Sequence, residues 1–375
     1  MDGSDVLLLR VVGEVPEELQ WEVAGFLTEP YAPELRERLR AATGAPPAEV
    51  AALHVELAER WGELLLRLLR AQGLSPGELF VVGSHGQTLW HQPPRGESRG
   101  FTFQIGDPAT LAERVGAPVV SDFRSRDMAV GGEGAPLVPW ADWVLFRRPG
   151  VGRALQNLGG MGNVTFLPRD GGAAGVLGFD TGPGVALLDG AARRASGGRL
   201  AWDSDGEGAL RGRILPELLA ELLSDPFFAQ RPPRSTGRER FGEERLDAIC
   251  ARLGPLPPQG WDDLLATLTE LTVLSIASAY REFLPKGGVD EVVLAGGGAR
   301  NPAIVKGLRH HLAPLPVLTG PEVLGIDPDA REAAAFALLA WAHRLELPGN
   351  LPGVTGGSAP RVLGSLTPAP PGTPG

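Results

Sequence analysis

Residues 178–184 read Gly-Phe-Asp-Thr-Gly-Pro-Gly, which puts one carboxylate, Asp180, at the end of an apolar strand and ahead of two glycines, a proline and a helix. At such a corner, backbone amides and a helix N-terminus can face an anion. A carboxylate there needs a counter-ion, a proton-transfer task or solvent. The plain alternative is an N-cap or turn-forming aspartate. Two further glycine clusters stand elsewhere: "NLGGMGNVT" (157–165) between two strands, and "LAGGGARNP" (294–302) between a strand and a helix. Glycine turns let backbone amides approach phosphate oxygens closely, which suits nucleotide chemistry. The common nucleotide loops fit poorly. Lys286 and Lys306 are the only lysines and neither lies in GxxxxGK[ST], while "GGMGN" links two strands and "GGGARN" has the wrong spacing for a dinucleotide turn.

The elements that must hold these residues follow from periodicity. Residues 152–160, 161–168 and 174–180 read as three strands, and 261–284 as a helix with apolar residues at helical spacing and no internal proline or glycine. A strand (290–298), a helix (301–312), a short strand (315–318) and a helix (329–345) complete the order βββα, then βαβα. The first half repeats it with strands 4–12 and 19–27, helix 48–73, strand 78–84, helix 107–116 and strand 117–123. In this comparison 4–12 takes the part of the outgoing arm of the later glycine hairpin, and the incoming arm is absent. Two such repeats describe an α/β chain with a duplicated ribonuclease-H-like, actin/hexokinase-type two-lobe fold and an interlobe cleft, in which glycine hairpins from each half grip nucleotide phosphates. The expected lobes are 1–140 and 141–363, the second with a helical insertion at about 186–285. The proline- and glycine-rich 364–375 is expected to be a disordered tail.

A chain of 375 residues with 43% hydrophobic and 21% charged residues is long enough for two packed lobes. Its formal charge of -10 argues against nucleic acid and anionic membrane as partners. Cys250 is the only cysteine, so an internal disulfide is excluded and a reducing compartment fits. No apolar run approaches membrane-spanning length, and a cytoplasmic location is expected.

The motifs together resemble the anhydro-N-acetylmuramic acid kinase family. The matching segments are "GSHGQTLWHQP" (83–93), 104–139 with its "SDFRSRD", "NLGGMGNVT", "GFDTGPG", "LAGGGARNP" and "DAREAAAFALLA" (329–340), in family order over nearly the whole chain. The resemblance implies that water opens the 1,6-anhydro bridge of anhydro-N-acetylmuramic acid while ATP, with Mg2+, phosphorylates the oxygen released at C6. The product would be N-acetylmuramic acid 6-phosphate, in recycling of cell-wall sugar. Asp180 then carries over as the general base that takes the proton of water.

The same resemblance assigns the ATP side to Gly159, Gly160 and Asn163 of the hairpin, to Gly182 and Gly184, and to Gly296, Gly297, Gly298 and Asn301 beside the adenosine. Asn163 is a candidate for the phosphates or for hydrated magnesium; an ordinary asparagine-glycine hairpin is the rival reading for Asn157. From the first lobe Asp2, Gly3 and Asp5 are expected to line the phosphates. The sugar side is expected at His85, Gln87, Asp122, Arg124, Arg126 and Glu332. An extended segment would point Arg124 and Arg126 to one side, toward the lactyl carboxylate, unless one of them pairs with Asp122 or Asp127.

Family members begin with a strand and a motif close to MSGTSxDGxD, whereas this chain opens on "MDGSD", so a late start with part of the phosphate grip missing is expected. Val185 and Glu133 are smaller departures. Two alternatives remain: another sugar or carboxylate kinase of the same fold, and a non-catalytic binder of the sugar. A homodimer is left open.

Overall fold

Packing divides the chain into two units, Met1–Phe146 with Asp329–Gly375, and Arg147–Pro328. In the computed structural model the described residues are 3–94, 98–319 and 321–371. Along them run β1 (Gly3–Val12), β2 (Gln20–Pro30), β3 (Val82–Gly83), β4 (Gln87–Gln92), β5 (Phe101–Ile105), β6 (Val119–Ser121), β7 (Arg153–Leu158), β8 (Met161–Leu167), β9 (Leu177–Pro183), β10 (Glu291–Ala295), β11 (Val317–Leu318) and β12 (Ser365–Thr367).

The Arg147–Pro328 unit is built on a five-stranded sheet in the order β11-β10-β7-β8-β9. β7 runs parallel to β10 and antiparallel to β8, and β8 is antiparallel to β9. Apolar residues at i, i+3 and i+4 along the Pro258–Phe283 helix, among them Leu264, Leu268, Leu271 and Ile276, are buried with Val164, Phe166 and Phe179 of the sheet. The expected βββα–βαβα order is present. The short helices between Ala186 and Leu253 fall inside the expected insertion.

The other unit has its counterparts in a looser form. β1 and β2 make an antiparallel pair, as β8 and β9 do, and β3 is parallel to β6, as β10 is to β11. Among the described residues no strand lies between β1 and β3, where β7 lies in the second sheet. The Pro47–Ala71 helix packs Leu65, Leu68 and Leu69 with Leu8 and Val119. β4 and β5 form a separate hairpin that periodicity did not signal.

The division corrects the expected boundaries at 140 and 363. The Arg331–Arg344 helix belongs with the first residues because Arg331 pairs with Asp142 of the Val138–Phe146 helix, Nε to Oδ1 at 2.7 Å, in a buried bidentate contact. The expected disordered tail is corrected too. Ser365–Thr367 add to β6 as the antiparallel strand β12, because Gly364, at φ +93°, turns the chain onto that open edge. Residues 372–375 lie outside the described residues.

Candidate active site

Asp180 sits within β9, which continues through Gly182 to Pro183, where the sequence had suggested a strand end. Gly182 at φ +141° lets the edge strand keep its pairing with Gly162 through a conformation closed to other side chains. The N-cap reading falls away, since the Ala186–Ala195 helix begins after Val185, six residues from the nearest end Asp180 could have capped in sequence terms. Register places Asn157 opposite Asn163 and Asn163 opposite Asp180, so the three side chains form a row across β7, β8 and β9.

What fixes Asp180 is a strap, residues 234–238, laid along the edge of β9. The Asp180 N–H donates to the Arg234 carbonyl at 3.2 Å, Arg234 Nε donates to the Asp180 carbonyl at 2.8 Å, and the Thr236 N–H donates to Asp180 Oδ2 at 2.8 Å. Arg234 is buried. Its Nη1 donates to the carbonyls of Phe228 and Gln230, both at 3.1 Å, and its guanidinium lies over the rings of Phe227 and Phe283. Burial lowers its pKa to about 10, against the opposing pull of the Asp180 carboxylate. The carboxylate is therefore oriented by a fixed amide on a fixed loop. Sequence reading missed this strap. Its only signal is the arginine-rich, aperiodic "RPPRSTGRER" (231–240).

The glycine turn stands beside that row. Gly159 and Gly160 accept through their carbonyls from Val185 (2.9 Å) and from Gly184 and Ala186 (3.0 and 3.1 Å), while their own amides donate to no acceptor among the described residues. Gly184 must be glycine, because a Cβ there would collide with the Gly159 carbonyl oxygen. Gly296, at φ +81°, and Gly298 press against Leu158, whereas Gly297 is exposed with open space where a Cβ would stand. Asn301 has a structural task. Its Oδ1 caps the Pro302–His311 helix by accepting from the amides of Ala303 and Ile304 at 2.9 and 3.3 Å.

In the other unit His85, Arg124 and Glu332 come together. The Arg124 guanidinium donates to His85 Nε2 at 2.8 and 3.2 Å and to the Gly134 carbonyl at 2.7 Å, and feels the charge of Glu332. Burial first, and the Arg124 charge second, push the His85 imidazole down to about 3, so it stays neutral and accepts from the arginine. His91 Nδ1 lies 3.2 Å from Thr102 Oγ1, and its buried Nε2 has no partner among the described residues.

The remaining expected residues are dispersed. Gln87 opens β4 and donates to the Thr88 carbonyl at 3.3 Å, and Asp5 is exposed on β1, accepting from Thr28 Oγ1 at 2.7 Å. Gly3 packs its backbone on Glu29, and Asp2 lies outside the described residues. The paired orientation of Arg124 and Arg126 is corrected. Asp122 takes φ +53° and accepts from Ser125 Oγ at 2.5 Å, which turns the chain into the short Ser125–Met128 helix, so Arg124 is held inside and Arg126 is exposed. Asp127 pairs with neither arginine. It is buried and accepts from Gly134 N–H (2.9 Å), Asn350 Nδ2 (2.6 Å) and Thr355 Oγ1 (2.7 Å).

With this geometry in place, a family profile described as "Anhydro-N-acetylmuramic acid kinase" matches residues 1–369. The chain belongs to that family. The anhydro-N-acetylmuramic acid kinase of Gloeobacter violaceus is 45% identical over 98% of this chain and 96% of its own length. That of Caldanaerobacter subterraneus subsp. tengcongensis is 40% identical over 98% and 94%. These coverages give no support to the expectation of a late start. Among solved structures, a ROK family glucokinase from Streptomyces griseus in complex with glucose and AMPPNP aligns at a TM-score of 0.34 and 14% identity over 89% of this chain and 99% of its own. Among the described residues no helix is long and apolar enough to cross a membrane.

Proposed function

We infer that this chain is an ATP-dependent anhydro-N-acetylmuramic acid kinase, which opens the 1,6-anhydro ring with water and transfers the γ-phosphoryl group to O6. The products are N-acetylmuramic acid 6-phosphate and ADP. The observation that carries this reading is the family match over residues 1–369, within which "GFDTGPG" holds Asp180 oriented by the Thr236 amide. Water is a poor nucleophile at an anomeric carbon, and Asp180 accepts its proton as the carbon–oxygen bond breaks. The departing O6 is the phosphoryl acceptor. The free amides of Gly159 and Gly160 receive phosphate oxygens, and the exposed Gly297 leaves room for the adenosine.

Arg124, held between His85 and the Gly134 carbonyl, is the candidate partner for the lactyl carboxylate, with Glu332 for sugar hydroxyls. No cluster of three or more His, Cys, Asp or Glu side chains is placed to hold a metal among the described residues. Asn163, in the row between Asn157 and Asp180, is the amide that would receive a magnesium ion arriving on ATP with its waters. Bound there, the ion would neutralise phosphate charge. A cytoplasmic location accords with the single cysteine.

The test is to incubate the protein with ATP, magnesium and anhydro-N-acetylmuramic acid in ¹⁸O-labelled water and analyse the products by mass spectrometry. A sugar phosphate carrying one label at the anomeric oxygen, with unlabelled phosphate, is expected. Labelled inorganic phosphate beside intact anhydro-sugar would refute the reading.

A further inference from the structure

The strap that fixes Asp180 ends in a charge that makes no hydrogen bond or ion pair among the described residues. Two residues beyond Thr236, Arg238 opens the short Arg238–Phe241 helix, and its Nη2 and Nε lie 3.7 and 3.8 Å from where a Cβ would stand on Gly160. The guanidinium thus covers the outer face of the glycine turn. It is exposed, and among the described residues it makes no hydrogen bond or ion pair. Its neighbours differ in this respect. Arg193 and Arg194 pair with Glu243, and Arg240 pairs with Asp225 at 2.6 Å. Asp189 of the adjacent helix feels the Arg238 charge without bonding to it.

Three donors therefore stand at one turn: the amides of Gly159 and Gly160, which find no acceptor among the described residues, and the unbonded planar guanidinium of Arg238 beside the second of them. Peptide amides in a tight turn offer partial positive charge, and a guanidinium adds a full charge with a fork that matches two phosphate oxygens. Their free donors face an anion with several oxygens better than they face water.

We propose that Arg238 is a phosphate-binding residue, which grips the terminal phosphates of the nucleotide against the Gly159–Gly160 turn. This rests on the kinase reading above and extends it with a side chain outside the recognised motifs. It also gives the strap two ends with different tasks. Thr236 sets the base and Arg238 holds the phosphates, so nucleotide and base are registered by one five-residue segment anchored at Arg234.

The experiment is a calorimetric titration of the full chain and its Arg238→Gln and Arg238→Lys variants with ATP, adenosine and inorganic tripolyphosphate. Arg238 is exposed and unbonded, so both variants should melt with the parent protein. ATP affinity is expected to fall about 10- to 100-fold in Arg238→Gln, with adenosine affinity unchanged and tripolyphosphate binding lost; Arg238→Lys should lie between. Unchanged ATP affinity in Arg238→Gln overturns the proposal and leaves the kinase reading standing. Parallel losses for ATP and adenosine also overturn it, because the residue would then act on the site as a whole. A parent protein that binds none of the three ligands overturns both readings.

Discussion

Asp180 and His85 each owe their state to named neighbours. For Asp180 the neighbour is a backbone amide, so removal of the charge leaves the scaffold in place. Asp180→Asn is expected to keep ATP and sugar affinity while turnover falls about 10²- to 10⁴-fold, the usual contribution of a positioned base. Near-parental turnover in that variant would remove Asp180 from the mechanism. For His85, burial first and the Arg124 charge second hold the imidazole neutral, with its ring packed 4.4 Å from that of Phe336. Its folded pKa, about 3, lies below the ordinary value near 6.5. Between these values the unfolded chain binds a proton that the folded chain refuses, so stability is full above about pH 6.5 and declines as pH falls toward 3. His85→Gln is expected to flatten this acid decline in urea midpoints measured from about pH 7 to 4. An unchanged slope would assign the acid sensitivity to other groups.

Elements explain why some of these neighbours were legible and others were not. The β7–β8–β9 meander could be read in advance because its apolar residues and glycine turn are local signals, and the row from Asn157 to Asp180 follows from register. The strap could not, since 231–240 has no period and its bonds to Asp180 span 54 and 56 residues. Arg124 and Arg126 were misjudged because a positive φ at Asp122, invisible in composition, turns an expected extension into a helix. The glycines divide by a physical criterion that sequence cannot apply. Gly184→Ala drives a methyl group into the Gly159 carbonyl and must move the turn, whereas Gly297→Ala enters open space. Gly184→Ala is therefore expected to lower the melting temperature by several degrees, as a cost of about 1–3 kcal/mol would. Gly297→Ala should melt with the parent and lose affinity for adenosine and ATP alike. Melts and nucleotide titrations on the two variants check both statements, and a reversed pattern would exclude Gly297 from the base site.

At the scale of the molecule, the duplicated order of elements was legible, but the return of Arg331–Arg344 to the first residues was not, because the Arg331–Asp142 pair joins positions 189 residues apart. The comparison of the two sheets leads to one more expectation. In the Arg147–Pro328 unit β7 fills the place between β8 and β10; in the other unit the corresponding place, between β1 and β3, is a cavity of about 840 Å³. Residues of both strands line it, and its walls include Trp61, Leu65, Leu111, Phe336 and Trp341. On an antiparallel strand, alternate amides and carbonyls face away from the partner, so β1 presents a long unpaired edge to this slot. An extended segment of about six residues, antiparallel to β1 and parallel to β3 as β7 is to β8 and β10, would satisfy both edges. Each backbone hydrogen bond contributes about 0.5–1.5 kcal/mol net, which makes the gain a large share of an ordinary domain's stability. An alternating apolar hexapeptide added free is therefore expected to raise the melting temperature. Unchanged melting would mean that the slot closes on itself in solution, and that β1 and β3 do not require a strand between them.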